Sequence, residues 1–316
     1  MKNITILIPC YNEQDSLEIL YKRLSEMIGT LSQYNFMLLL VNDGSRDNTL
    51  LEMEKMRLQD KKVSVLNLSR NFGKETAMLA GLDYAEGDAV ILMDADLQDP
   101  PELIPQMIAA WEEGYIDVYA QRRSRAGESW FKKFTSKLYY RILQKMTDIE
   151  MQVDVGDFRL LDRQAVEALR SIRERQRYTK GLFSWIGYRK KAITFDRAPR
   201  SAGVSKWDYW KLIGLAIDGI TSFSVVPLRL AVVLGMFISF IAFMFMGFIV
   251  IRTFFYGDPV AGYPSLVSII LFLGGIQLVV LGIIGEYLGR VFAEAKKRPE
   301  YLAAEYNGEK VFKGKL

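Results

Sequence analysis

Two aspartates one residue apart, Asp94 and Asp96, directly follow the apolar run Val90-Ile91-Leu92-Met93. If that run is a buried strand, alternation puts both carboxylates on one side of an extended segment, one at the strand's end and one just past it. The arrangement suits a magnesium or manganese ion bridging a diphosphate, because these hard cations take oxygen ligands and share them with substrate phosphates. Gln98, two residues further on, keeps the same side and offers a carbonyl ligand. A solvated turn is the alternative for Asp-x-Asp alone; its place behind an apolar strand favours the metal. Asp43, within Val41-Asn42-Asp43-Gly44-Ser45, either accepts hydrogen bonds from a nucleobase or makes an Asx-turn, since Asp-Gly-Ser is turn chemistry in any protein. The chain has no histidine and one cysteine, Cys10. Histidine triads, His-ligated zinc and histidine bases are thereby excluded, leaving oxygen ligands for a metal and carboxylates for acid or base work. An internal disulfide is excluded too, and a lone thiol fits a reducing compartment.

The elements that must position these groups alternate over the first 120 residues. Strands are expected at Ile4 to Ile8, Phe36 to Val41, Val63 to Leu68, Ala89 to Met93 and Asp117 to Ala120. Between them Leu17, Leu20, Leu24, Ile28 and Leu31 recur at helical spacing, Asn48 to Leu58 and Lys74 to Tyr84 read as helices, and Pro100-Pro101-Glu102 starts another. This α/β alternation predicts a Rossmann-like, mostly parallel sheet covered by helices on both faces. Ligands of such sheets collect beyond the carboxyl ends of the strands, where Tyr11-Asn12-Glu13, Asn42-Asp43, Ser69-Arg70-Asn71 and Asp94 to Gln98 fall. No G-x-G-x-x-G follows the first strand and no G-x-x-x-x-G-K-[ST] occurs, which argues against a nicotinamide dehydrogenase or a P-loop ATPase.

The character of the chain changes after about Phe223. No charge occurs from Leu230 to Ile251, a stretch that spans roughly 33 Å as a helix at ~1.5 Å per residue, enough to cross a bilayer. A second uncharged stretch runs from Pro259 to Gly285 with an apolar core from Leu266 to Ile284. Two membrane spans in a hairpin are predicted. The connector Tyr256 to Pro264 holds Asp258 and no basic residue, whereas Arg290, Lys296, Lys297 and Arg298 follow the second span, so both termini should face the cytoplasm. Lys2 is followed only by a short apolar run ending at Pro9, unlike a signal peptide. Between Gln121 and Lys145 lie eight basic residues (Arg122, Arg123, Arg125, Lys132, Lys133, Lys137, Arg141, Lys145) and one acid, Glu128. Trp130, Phe131, Phe134, Tyr139 and Tyr140 are interleaved with them. Beside a membrane hairpin, this points to an interfacial helix at anionic headgroups rather than to nucleic acid. Trp207-Asp208-Tyr209-Trp210-Lys211 looks like a second interfacial anchor. Gly285 and Gly289 form a G-x-x-x-G pair that permits close helix contact and thus a homo-oligomer, while Glu286 and Arg290, four apart, should pair with each other.

Taken together, Pro9-Cys10-Tyr11-Asn12-Glu13, Asn42-Asp43-Gly44-Ser45, Asn71-Phe72-Gly73-Lys74 and Asp94-Ala95-Asp96-Leu97-Gln98-Asp99-Pro100-Pro101-Glu102 resemble the family-two glycosyltransferases. Gly156-Asp157-Phe158-Arg159, Arg200-Ser201-Ala202-Gly203-Val204-Ser205-Lys206 and Gly285-Glu286-Tyr287-Leu288-Gly289-Arg290 extend the resemblance over nearly the whole chain. Within the family the chain is similar to the polyprenyl-phosphate glycosyltransferases, chiefly the bactoprenol (undecaprenyl-phosphate) glucosyltransferases and also dolichol-phosphate mannose synthase. That resemblance implies a type A glycosyltransferase fold, a divalent metal (Mg2+ or Mn2+), a nucleotide-sugar donor and a polyprenyl phosphate acceptor. It implies that Pro9, Tyr11, Glu13 and Asp43 hold the nucleoside, that Asp94 lies at the ribose or diphosphate with Lys74 and Ala95 completing the donor set, and that Asp96 and Gln98 bind the metal.

Asp157 matches the position of a base, yet a lipid phosphate, with a second pKa of ~6, is already mostly dianionic at neutral pH and needs little proton removal. The harder task is to bring two anionic substrates to ~3 to 3.5 Å, which is the use assigned to Arg122, Arg123, Arg200 and Lys206, with Ser205 beside them. Glucose from UDP-glucose is the expected donor group, with mannose, N-acetylhexosamine and aminoarabinose as alternatives. A processive polysaccharide synthase lacks support because no Q-x-x-R-W motif and no further spans occur. A non-catalytic nucleotide-sugar-binding scaffold is opposed by the intact carboxylates. The expected organisation is a cytoplasmic catalytic domain over residues 1–225 with interfacial helices around 128–146 and 205–225, a hairpin over 228–288, and a cytoplasmic tail over 289–316, all at the inner membrane.

Overall fold

The computed structural model describes residues 1–123, 155–175, 177–195, 224, 226–256 and 262–311. The chain divides into two compact units, one made of Met1–Leu215 with Arg298–Leu316 and the other of Ala216–Lys297.

In the first unit, strands β1 (Lys2–Cys10), β2 (Tyr34–Asn42), β3 (Val63–Leu68) and β4 (Ala89–Leu92) form the parallel centre of the sheet in the order β4-β1-β2-β3. Their near-continuous apolar runs are what burial on both faces requires: Ile4, Ile6, Leu7, Val90 and Ile91 are wholly buried. Helices α1 (Gln14–Gly29), α2 (Thr49–Gln59) and α3 (Lys74–Tyr84) connect them, and α4 (Ile104–Glu112) follows β4. In α1 the buried positions Leu17, Leu20, Leu24 and Met27 keep the helical period. Helix α3 lies close against β1: a Cβ at Gly81 would come within 2.1 Å of Leu7 Cδ1. Strand β1 has β2 on one side and β4 on the other. The connections leave in opposite directions there, and a crevice opens beyond the carboxyl ends.

Further strands extend both flanks, each set joined to the centre by one antiparallel pairing. Beyond β4 come β6 (Val155–Asp162), β5 (Asp117–Arg122) and β7 (Lys190–Phe195). Helices α5 (Arg163–Ser171) and α6 (Thr179–Trp185) follow β6, and Asp162 caps α5 by accepting the Gln164 N–H at 2.9 Å. Arg159, fully buried, pairs with Asp117 at 3.0 Å and lies under the Phe183 ring at 3.5 Å, which satisfies a charge that would otherwise be costly. Beyond β3 come β8 (Ala303–Tyr306) and β9 (Glu309–Lys310). Arg298–Leu316 group with the first unit. Nothing in so short a run announces a strand; the open edge of β3, some 240 residues earlier, supplies the backbone partners.

The second unit holds α7 (Val226–Tyr256) and α8 (Tyr263–Ala295). Each carries a stretch long and apolar enough to cross a membrane, Val226–Phe245 and Phe272–Ala295. Large apolar side chains stand exposed along both, among them Phe240, Phe248, Phe272 and Leu278. A core helix of a soluble protein would bury them. Glu286 and Arg290 pair at 3.0 Å. The expected interfacial helices around 128–146 and 205–225 lie outside the described residues.

Candidate active site

A cavity of about 230 Å3 opens at the carboxyl ends of β1, β2 and β4. Pro9, Tyr11, Glu13, Asp43, Lys74, Asp94, Ala95 and Asp96 line it, joined by Cys10, Asn71, Gly73 and Ala77. After β1 the chain turns sharply through Asn12, a non-glycine residue at φ 56°. Its N–H donates to Ser45 Oγ at 3.1 Å and its Oδ1 accepts the Arg46 N–H at 2.9 Å, tying the loop after β1 to the loop after β2. Glu13 accepts from Ser16 Oγ at 2.8 Å; burial, with the charges of Asp96 and Asp94, pushes its carboxyl above the ordinary value.

Asp43 does something neither sequence reading foresaw. Its two carboxylate oxygens accept the backbone N–H groups of Phe72, at 2.7 Å, and Gly73, at 2.9 Å. The loop between β3 and α3 is thus held by β2. Gly44, at φ +63°, permits the approach: a Cβ there would lie 2.4 Å from the backbone of Arg70 and Asn71. Burial raises the Asp43 pKa despite those bonds.

That loop delivers Lys74, the first residue of α3. Its Nζ lies 2.7 Å from Asp94 and 2.5 Å from Asp157, bridging a carboxylate just past β4 and one on β6. The bridge follows from register. β6 runs antiparallel to β4 with Arg159 opposite Leu92, so Asp157 stands two residues past the end of β4, level with Asp94. Burial pulls the Lys74 ammonium down, but the two carboxylates outweigh it and hold it above its ordinary value. Burial likewise pushes Asp157 up, yet Lys74 and then Lys180 outweigh that and keep it below the usual carboxylate range. Its Oδ1 is buried without a hydrogen-bond partner. Asp99, which accepts the Asp94 N–H at 3.1 Å, is pushed up to about 7 by burial and by the Asp94 charge.

The segment after β4 departs from the extended geometry expected of it. The strand ends at Leu92, and Leu97 takes a left-handed φ of 61°. Alternation therefore fails beyond Asp96. Gln98 is buried, its N–H donates to Asp96 Oδ1 at 3.1 Å, and it is not among the described residues lining the cavity. The donor set suits a hard divalent cation: it is all oxygen, and, after burial, the charges of Asp94 and Asp96 add to the raised pKa values of Glu13 and Asp99. Among the described residues no cluster of three or more His, Cys, Asp or Glu could hold a metal by itself. Such an ion would share its shell with substrate phosphate, as magnesium commonly does.

Arg122 closes β5, and the Arg123 N–H donates to the Phe195 carbonyl at 3.0 Å. β5 and β4 are both antiparallel to β6, so these arginines stand at the same edge of the sheet as the cavity without lining it. Arg200, Ser205 and Lys206 lie outside the described residues. Lys180, on α6, was not singled out in the sequence because it belongs to no motif; only the fold lets its charge reach Asp157. Asn71 and Asp99 fall within the family-resembling runs quoted above, yet their places at the cavity and beside Asp94 needed the turn geometry.

The parallel core and the acidic, lysine-bridged cleft at its switch point define a glycosyltransferase of the type A fold. Residues 5–170 match the family described as Glycosyl transferase family 2, and the chain belongs to that family. It is 50% identical over 305 residues, 96% of each chain, to "Uncharacterized glycosyltransferase sll0501" of Synechocystis sp. (strain ATCC 27184 / PCC 6803 / Kazusa). It is 42% identical to the "Bactoprenol glucosyl transferase" of Shigella phage SfV, over 95% of this chain and 97% of that one. It is 41% identical to the "Prophage bactoprenol glucosyl transferase homolog" of Escherichia coli (strain K12), over 95% and 97% respectively.

Proposed function

We propose that the protein transfers glucose from UDP-glucose to a polyprenyl phosphate such as undecaprenyl phosphate, with inversion at the anomeric carbon, yielding a lipid-linked sugar for cell-envelope glycosylation. The observation that carries this reading is the Lys74 ammonium locked between Asp94 and Asp157 inside a cleft of surplus negative charge. The names of the relatives support glucose and the bactoprenol acceptor. In the transfer, an acceptor phosphate oxygen bonds to the anomeric carbon as the bond to the nucleoside diphosphate breaks, the electron pair leaving on the diphosphate. Asp96, with Asp94 beside it, would hold Mg2+ or Mn2+, which would neutralise charge on the departing diphosphate. Lys74 adds a second positive charge at the same edge. Asp157, ionised and held below the usual carboxylate range, is a weak base. Its work is to orient Lys74 and the sugar, as a dianionic acceptor allows.

Membrane placement is supported by the chain path. The chain leaves the first unit before α7 and rejoins its sheet as β8. If α7 and α8 both cross a bilayer, the catalytic domain and β8 lie on one side, and the positive flank of α8 makes that side the cytoplasmic face of the inner membrane. An impermeant thiol reagent on intact cells should label Gly262→Cys and spare Lys310→Cys; the reverse pattern overturns this orientation. The function is tested by incubating purified protein with polyprenyl phosphate and a panel of nucleotide sugars, then weighing the lipid product by mass spectrometry. A glucosylated product formed only from UDP-glucose is expected, and another donor or no product overturns it.

A further inference from the structure

We infer that the strand pair following the membrane helices, β8–β9, is a positioning element of the donor site. It fixes the loop that grips Asp43 and delivers Lys74. The inference rests on reading the cavity as the donor site.

The β3–loop–α3 unit is held by this segment at three points. At the root of the loop, the Ser69 N–H donates to the Leu302 carbonyl at 2.9 Å, just where the β3–β8 register shifts at Asn67/Leu68. Along β3, the Asn307 N–H donates to the Val65 carbonyl and the Val65 N–H donates to Asn307 Oδ1, both at 2.8 Å. One asparagine thus closes both backbone groups of an edge residue. At the far end of α3, Tyr301, 6% exposed, donates its hydroxyl to Asp83 at 2.8 Å, and the Tyr306 ring lies 4.9 Å from that of Tyr84. Asp83 is itself gripped by Arg173 through two bonds of 2.8 Å.

Local sequence builds the clip. Asn307 and Gly308, at φ 52° and 79°, form the two-residue turn that joins tightly paired antiparallel strands, the left-handed pair that Asn-Gly favours. The loop these contacts anchor spans only Ser69 to Gly73, and its last two N–H groups are those bound by Asp43. A strand whose outer edge is unpaired lets such a loop sample other positions. With β8 in place, the entry to the loop and the exit of α3 are both fixed, and Lys74 between them is brought to Asp94 and Asp157.

The test uses the full chain in lipid nanodiscs. Asn307→Gly keeps the left-handed turn and removes the Oδ1 acceptor, Tyr301→Phe removes the bond to Asp83, and Asn307→Asp restores an acceptor. Hydrogen exchange of residues 69–73 should quicken in Asn307→Gly and Tyr301→Phe and return in Asn307→Asp. The KM for the nucleotide sugar and the Kd for the nucleoside diphosphate should rise about fivefold in the first two, the size of one lost hydrogen bond, while the KM for lipid phosphate stays within about twofold. Unchanged exchange of residues 69–73 overturns the inference, as does an equal rise in both KM values. If the wild type uses none of the nucleotide sugars, the functional reading fails, and the exchange result still decides this one.

Discussion

The cleft and the two long helices depart from an ordinary soluble surface in opposite ways. In the cleft, charged groups are drawn inside: Asp157 and Asp43 are 9% and 3% exposed. On α7 and α8, apolar groups are turned out: Phe240 and Leu278 are 65% and 71% exposed. Burying charge is costly unless it is paired, and exposing contiguous apolar surface is costly in water. Each region therefore reports what covers it in use. The cleft fits the metal and anionic donor proposed for it, and the helices fit the proposed membrane.

The sharpest attack on the cleft is Asp96→Asn. It keeps the volume and removes one charge, so transfer should fall by about 100-fold or more while the melting temperature barely moves. Near-normal transfer by the folded variant would end the metal-site reading. Chelation of divalent metal should give a loss of the same order in the wild type.

The helix side is broken by placing a charge where an apolar side chain now stands exposed. Leu278→Arg is harmless if that surface meets water. Facing lipid, it costs about 3 kcal/mol, enough to reduce membrane-integrated protein severely, as fractionation would show. Arg200 and Lys206 precede α7 in the sequence. Alanine at either should lower transfer to lipid phosphate by about tenfold or more through loss of a charge-assisted hydrogen bond, with calorimetric binding of nucleoside diphosphate unchanged. Equal loss of both would remove their acceptor role.

The smallest effect is on stability. Asp99 is protonated in the folded, metal-free protein up to about pH 7, whereas its unfolded form ionises near pH 4. Its contribution is complete below pH ~4 and is lost as the pH rises through ~7. The melting temperature of metal-free protein should fall more steeply between pH 5 and 8 than that of Asp99→Asn. Parallel curves for the two would refute the assignment.

Sequence by itself determined whatever depends on neighbours along the chain. Periodicity placed β1 to β5 and the helices between them, the charge-free runs marked α7 and α8, and Asp94 and Asp96 stood out because they directly follow an apolar strand. Tertiary structure decided what depends on register and on partners far apart in the chain. Gln98 reads as a ligand if the segment is extended; in the fold Leu97 is left-handed, and Gln98 is buried with its N–H on Asp96 Oδ1 and is not among the described residues lining the cavity. Asp43 reads as a turn or a base reader, and the fold adds bonds from the Phe72 and Gly73 amides to its carboxylate at the cavity. Lys74 meets Asp157, 83 residues later, because β6 pairs antiparallel to β4. The run from Ala303 to Lys310 becomes strand because β3 offers it an open edge. A strand pair is defined by two segments at once, and neither carries the register alone.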